Sequence, residues 1–325
     1  MTQILLFRLN ETMEHPFWQN SRTSVKIQTL SDPLKPNESI LLLGSCFAQN
    51  LGQKMQECGL PALVNPFGLL YNPHSLAWAL DQLTLNARAP VFRAGDFFHF
   101  EGQWRHKGFH TDLCRESQID ALSLALEQAK KGSQALQTAK LLVITLGTAY
   151  LWRHRQTGEI WSNCHRLPQQ TFARELGEIP SMVQDLDSSL QRAQELNPGL
   201  KVLFTVSPTR YLRDGGEGNF LSKSLLRVTV EALLEKPNRY YFPAYELLID
   251  ELRDYRWYER DRAHPSAEAT EYIMERFAQT WTSPDWQKQW REGQDRLKRE
   301  AHRPHGKKEV WGVSETGQKV QQEDV

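Results

Sequence analysis

Short, unbroken apolar runs alternate along this chain with segments whose apolar residues recur every three or four positions. That alternation restricts the fold more than any other feature. The runs at 40–43, 141–146 and 202–206 contain no charged residue. A strand apolar at every position has no polar face to offer water, so both faces must be covered. Strand and helix in alternation then mean a parallel sheet between two helical layers. The periodicity predicts a helix over 46–58, where Phe47, Leu51 and Met55 share one face. Further helices are expected at 74–86, 119–138, 182–196, about 221–235, 244–253 and 266–281, and weaker strands at 62–64 and near 240–242. Residues 90–114 are aromatic-rich and aperiodic, which suggests a loop or small hairpin insertion, and 150–181 read as a Pro-rich, polar connection.

These elements place one α/β domain over residues 26–283. It is preceded by an irregular lead (1–25) and followed by a polar, mixed-charge tail (284–325) expected to be disordered. Lys and Arg number 39, as do Asp and Glu, so the formal charge is zero, which argues against nucleic acid as a partner. No apolar run approaches the ~20 residues of a membrane span, and no secretory leader is evident, so a cytoplasmic location is expected. Four cysteines without a CxxC pair support neither a disulfide framework nor a zinc site. His106, His110 and Cys114 are spaced by four, but Gly108 and the aromatic context argue against the helix that would align them, so no metal and no cofactor are expected. Oligomeric state is not readable.

In parallel α/β sheets, ligands bind beyond the carboxyl ends of the strands. The run 41–43 leads there into Gly44-Ser45-Cys46, with a helix following at once. A thiol at a helix N-terminus ionises more readily and is the better nucleophile for it. The free N–H groups of the first turn can also hold an oxyanion. Equally, Ser45 could be an N-cap and Cys46 a small buried filler. Far down the chain, Asp261 and His264 are three residues apart. That spacing lets a carboxylate fix an imidazole tautomer while the other ring nitrogen faces a nucleophile. Alone, DxxH is a weak signal that also suits a surface Asp beside a helix-terminal His.

The pentad Gly44-Ser45-Cys46-Phe47-Ala48 resembles the signature of the GSCFA domain family. Further blocks resemble that family in order: Asn65-Pro66-Phe67-Gly68, Tyr71-Asn72-Pro73, Leu146-Gly147-Thr148-Ala149, Asn163-Cys164-His165-Arg166-Leu167-Pro168, Ser207-Pro208-Thr209-Arg210, and 251–256 through His264-Pro265-Ser266. The resemblance covers about 22–281 and implies membership of the SGNH/GDSL-type hydrolases. It also implies a three-layer, flavodoxin-like parallel sheet and a hydrolase (esterase) or acyltransferase working on a small-molecule or saccharide O-acyl or thioester substrate through an acyl-enzyme. A catalytically silent binding module on the same fold is the alternative.

In Gly-Asp-Ser enzymes the nucleophile lies two residues after the glycine. Counted from Gly44 that position is Cys46, and Ser45 stands in the Asp slot. A related group with a Gly-Asn-Cys start uses a Cys–His pair, so Cys46 is favoured over Ser45, with His264 as base and Asp261 orienting it. The superfamily's third block carries an Asn that holds the oxyanion, whereas here the strand ends Gly147-Thr148-Ala149. Thr148 could substitute, or Asn163 could reach in. Gly68 could give the second block's N–H, or simply turn the chain. His110 and His165 are candidates for the pocket rim, and Arg210, just past a strand, could pair with a substrate carboxylate or phosphate. Trp104, Trp152 and Trp161 could line an apolar wall.

Overall fold

The computed structural model describes residues 23–301. Five strands form one parallel sheet: β1 (Ile40–Gly44), β2 (Ala62–Val64), β5 (Leu141–Leu146), β9 (Lys201–Val206) and β10 (Arg239–Tyr241), in the order β10-β9-β5-β1-β2. This is the flavodoxin-like order expected from the resemblance. The chain leaves β1 for β2 on one side and then crosses to β5 on the other. The strand order therefore reverses between β1 and β5, and a crevice opens at their carboxyl ends.

The apolar runs are continuous because alternate residues serve opposite faces. Leu41, Leu43, Leu142, Ile144, Val202 and Phe204 pack under α2 (Pro73–Asn86), α3 (Gln118–Thr138), α4 (Ile179–Leu196) and α5 (Gly215–Leu233). Ile40, Leu42, Leu141, Val143 and Leu203 point the other way, toward α1 (Cys46–Glu57), α7 (Ala267–Trp281) and α8 (Pro284–Ala301). Each strand residue thus leaves water entirely, worth about 1.5–3 kcal/mol per large aliphatic side chain. Asn72 caps α2 by accepting from the Ser75 amide at 2.9 Å, and Pro73 takes the first helical position, where its missing N–H costs nothing.

The 90–114 insertion is a hairpin, as its aromatic, aperiodic sequence allowed: β3 (Phe97–Phe100) pairs with β4 (Gln103–His106), so His106, His110 and Cys114 are not aligned on a helix. Two other segments differ from the sequence expectation. The supposed connection after β5 is a three-stranded antiparallel sheet: β6 (Tyr150–His154), β7 (Ile160–Trp161) and β8 (Phe172–Leu176). Its strands are short and interrupted by Arg and polar residues, which hid the alternation. Residues 284–301, expected to begin the tail, form α8 instead. Trp286 and Trp290, one turn apart, are 1% and 3% exposed and stack at 5.6 Å. Two tryptophans on one stripe bury enough surface to hold an otherwise charged helix. Residues 302–325 and 1–22 lie outside the described part. The segment 244–253 is a short helix, α6 (Ala244–Glu246), that widens into a π-helical stretch, Leu247–Leu252. No helix among the described residues is long and apolar enough to cross a membrane.

Candidate active site

Gly44 ends β1 at a φ of +144°, and a β-carbon there would fall 2.3 Å from the Thr145 carbonyl oxygen of β5. Only glycine lets the first strand turn away from its neighbour at this point. Asn65 accepts the Gly44 amide at 2.8 Å, and Gly44 in turn accepts from Leu70 at 3.0 Å. The chain then enters α1. Ser45 is the N-cap. Its hydroxyl accepts from the Phe47 amide at 3.3 Å, and the residue is 1% exposed. Cys46 is the first helical residue and is partly exposed. Its sulfur lies 3.4 Å from the Thr209 hydroxyl. The side chain facing out of the strand end is therefore the thiol, while the serine hydroxyl serves the helix.

Tyr71 and Tyr211 flank this point, their rings 5.5 Å apart and perpendicular. Burial, reinforced by charge on Cys46, pushes the Tyr71 phenol up to about 12, and burial holds Tyr211 well above its ordinary range. Both are neutral hydrogen-bonding groups at physiological pH. His110 lies at the edge of the same cluster, 6.5 Å from the Tyr71 ring, with Nδ1 3.0 Å from Asp112.

Asp261 and His264 occupy a tight turn just before α7. Asp261 Oδ1 accepts the amides of Ala263 (2.9 Å) and His264 (3.0 Å), and Oδ2 lies 2.6 Å from His264 Nδ1. The His264 contact, with those two amides, holds the Asp261 carboxyl down at about 2. The turn is tied to the Cys46 segment by the Arg210 amide, which donates to the Ala263 carbonyl at 2.8 Å, one residue after Thr209. The His264 side chain is 49% exposed and lines an open groove of about 390 Å³ with Asn50, Gln53, Lys54 and Glu57 of α1. Asn50 lies one helical turn along from Cys46. The imidazole thus stands at the same end of the sheet as the sulfur, beside the helix that begins with it. Among the described residues the two make no hydrogen bond.

The other expected oxyanion groups are already committed. The Gly68 amide donates to Asn65 at 2.8 Å in a turn. Its φ of +76° and the His110 β-carbon 2.4 Å from where a side chain would begin explain the glycine. The amides of Gly147 and Thr148 donate to the Tyr71 carbonyl at 2.8 and 3.0 Å. The Thr148 hydroxyl is buried against Ser222 at 3.1 Å. Asn163 and His165 belong elsewhere. Asn163 bonds Phe109, Ser162 and the His165 amide, and His165 is buried under the hairpin with Nε2 3.2 Å from the Lys107 carbonyl. Burial pulls the His165 imidazole down to about 4, so it stays neutral. Arg210 lies over Tyr255 and Tyr258, 5.8 Å from each ring centre, and bonds the Arg262 carbonyl at 3.2 Å. Among the described residues it makes no salt bridge. Trp152 packs on Phe172 and beneath Arg174 and Arg213, Trp161 against His154 and Phe98, and Trp104 against His99.

Sequence reasoning passed over Thr209 and Tyr71, which lie inside family-like blocks but had no role assigned, and Lys223 altogether. Lys223 is 2% exposed, and its ammonium donates to the carbonyls of Gly147 (2.7 Å) and Ser207 (2.8 Å). A signal was present. Lys223, Leu226, Val230 and Leu233 fall on one stripe of α5, so a lysine sits where the pattern demands an apolar residue.

A strand-end thiol thus stands at a helix start on a flavodoxin-like sheet. The chain matches the GSCFA family over residues 39–277 and belongs to that family. Comparison with curated proteins gives no match. Among solved structures, one similar to it is a family two carbohydrate esterase from Clostridium thermocellum in complex with cellohexaose: 13% identity, 83% of this chain, 67% of that one, TM-score 0.33. Another is an acetyl xylan esterase, Est2A, from the rumen bacterium Butyrivibrio proteoclasticus: 8% identity, 77% of this chain, 65% of that one, TM-score 0.35.

Proposed function

We propose that this protein is a cysteine-dependent, SGNH-type acyl hydrolase or acyltransferase acting on an O-acyl or thioester substrate, small molecule or saccharide. The observation that carries the reading is the tie between the two halves of the site. The turn holding the Asp261–His264 pair is bonded through Ala263 to Arg210, beside the Thr209 that touches Cys46. In the reaction, the Cys46 sulfur attacks the substrate carbonyl carbon, and the carbonyl electron pair moves to oxygen, facing the first-turn amides of α1. His264 takes the thiol proton on Nε2 and returns it to the leaving oxygen or sulfur as that bond breaks. Water or a sugar hydroxyl then attacks the acyl-enzyme and restores the thiol. The Nδ1 contact with Asp261 leaves Nε2 as the ring nitrogen free to take the proton.

The test is pre-steady-state kinetics with p-nitrophenyl acetate and butyrate and an acyl thioester. A burst of product stoichiometric with enzyme is expected, and it should vanish in Cys46→Ala and His264→Ala. Iodoacetamide labelling of the Cys46 peptide should survive Ser45→Ala, and the fast-reacting thiol should be lost in Cys46→Ala. No burst with any of these substrates sinks the proposal.

A second reading, a silent binding module, is favoured by one observation: the amides of Gly68, Gly147 and Thr148 are all spent on backbone carbonyls. A missing oxyanion donor costs about 10²–10³ in rate. In that case saccharide or acyl-ligand affinity is unchanged in His264→Ala and no covalent adduct forms.

A further inference from the structure

Lys223 is the least expected side chain at this end of the molecule. A buried cation normally has a carboxylate partner, because removing an ammonium from water is costly. Among the described residues Lys223 makes no salt bridge. Its two hydrogen bonds go to Gly147 and Ser207, one residue past the ends of the adjacent strands β5 and β9. Two bonds from three N–H donors is a poor return for a buried charge. An amide or hydroxyl side chain could bridge two carbonyls at lower cost.

The sheet register shows what the charge faces. Gly44 of β1 pairs with Thr145 of β5, and the Ser45 amide donates to the Thr145 carbonyl at 3.2 Å, so the start of α1 sits beside the tip of β5. From β1, the Cys46 sulfur reaches Thr209, beyond the end of β9, and so leans across the tip of the intervening β5. The Lys223 ammonium is fixed to that same tip. The titratable groups around it are Cys46 and Tyr245, whose ring centre is 5.7 Å away, with Tyr71 and Tyr211 flanking the sulfur. Burial keeps the flanking phenols and Tyr245 protonated, so among these groups it is the sulfur that can supply a negative charge.

We propose that Lys223 is the fixed counter-charge of the Cys46 site, a positioning residue that favours the ionised sulfur and the negative charge that develops beside it. This deepens the acyl-transfer reading and rests on Cys46 being its nucleophile. Lys223 transfers no proton. Its ammonium is held on two carbonyl oxygens, and the thiol proton leaves toward the open side. Burial brings the Lys223 ammonium down to about 7, and charge on Cys46 works against that fall.

Linkage makes the coupling reciprocal, so it can be read from either partner. In protein labelled at lysine Cε, one resonance should titrate near neutrality, far below ordinary lysines, and should titrate at lower pH in Cys46→Ser. Independently, alkylation of Cys46 by iodoacetamide at pH 7, followed on the Cys46 peptide by mass spectrometry, should slow about tenfold in Lys223→Met, and Lys223→Arg should keep it within about threefold of wild type. The proposal is overturned if the Lys223 midpoint is the same in wild type and Cys46→Ser, or if folded Lys223→Met alkylates at the wild-type rate. Should Lys223→Met fail to fold, the titration in wild type and Cys46→Ser decides alone. Neither readout needs turnover, so the charge pairing and the acyl-transfer reading fail separately.

Discussion

The sulfur of Cys46 and the hydroxyl of Thr209 lie 3.4 Å apart, although 163 residues separate them in the chain. Thr209 has its amide on the Ser207 hydroxyl and is nearly buried, so its side chain is held in place. When Cys46 ionises, the Thr209 hydroxyl donates to it. A hydrogen bond of this kind is worth about 1 kcal/mol, so Thr209→Val should slow Cys46 alkylation at pH 7 by about fivefold without moving the thermal midpoint by more than a few degrees. An unchanged rate would mean the contact is packing only.

Asp261 orients His264 through a 2.6 Å contact, and three hydrogen bonds hold its carboxyl at about 2. This folded value lies below the ordinary carboxylate range near ~4. The bonded, ionised form is therefore fully present above about pH 4 and is lost as pH falls toward 2. Both side chains are half exposed, so screening leaves little of the contact as stability, and its effect belongs to orientation. Asp261→Asn should cut turnover at pH 7 by about 10²-fold or more, with the thermal midpoint within about 2 °C of wild type. A rate within threefold would remove Asp261 from the mechanism.

Gly44 has no acceptable substitute. Alanine would bring a methyl group to 2.3 Å from the Thr145 carbonyl oxygen at a φ of +144°. Backbone strain and forced separation of β1 from β5 should together cost about 3 kcal/mol or more in urea unfolding. A loss below 1 kcal/mol would show that the strands can part freely.

Trp286 anchors α8 on the α1 face of the sheet. It is 1% exposed, with Phe277 at 6.3 Å and Trp290 at 5.6 Å between ring centres. Trp286→Ala should destabilise by about 3–5 kcal/mol, measured by denaturant unfolding. A cost under 1 kcal/mol would return α8 to the status of a dispensable tail.

The main sheet was legible because its signal is local. A strand covered on both faces must be almost wholly apolar, and 141–146, with Thr145 its one polar side chain, shows that without reference to any other segment. Helices α1 and α7 were legible for the same reason, since a 3.6-residue stripe is written within fifteen residues. The β6–β7–β8 sheet was not, because it pairs short strands carrying Arg153 and Arg174 whose partners lie far away: Glu175 for one and Asp214 for the other. Of the site, the residue order alone placed a thiol at a strand end and an imidazole within reach of a carboxylate, because both depend on neighbours one to three residues away.

Which of the hydroxyl and the thiol faces outward was settled by three-dimensional packing. Ser45 and Cys46 are adjacent in the chain, and it is the start of α1 that turns one into a cap and the other toward Thr209. Packing likewise made Lys223 a buried charge, by bringing the tips of β5 and β9 under one turn of α5. Periodicity and spacing are written over a few residues, and so is the Asp261–His264 turn, but burial is a property of what arrives from elsewhere in the chain, and burial sets the state of Lys223, Tyr71 and Tyr211.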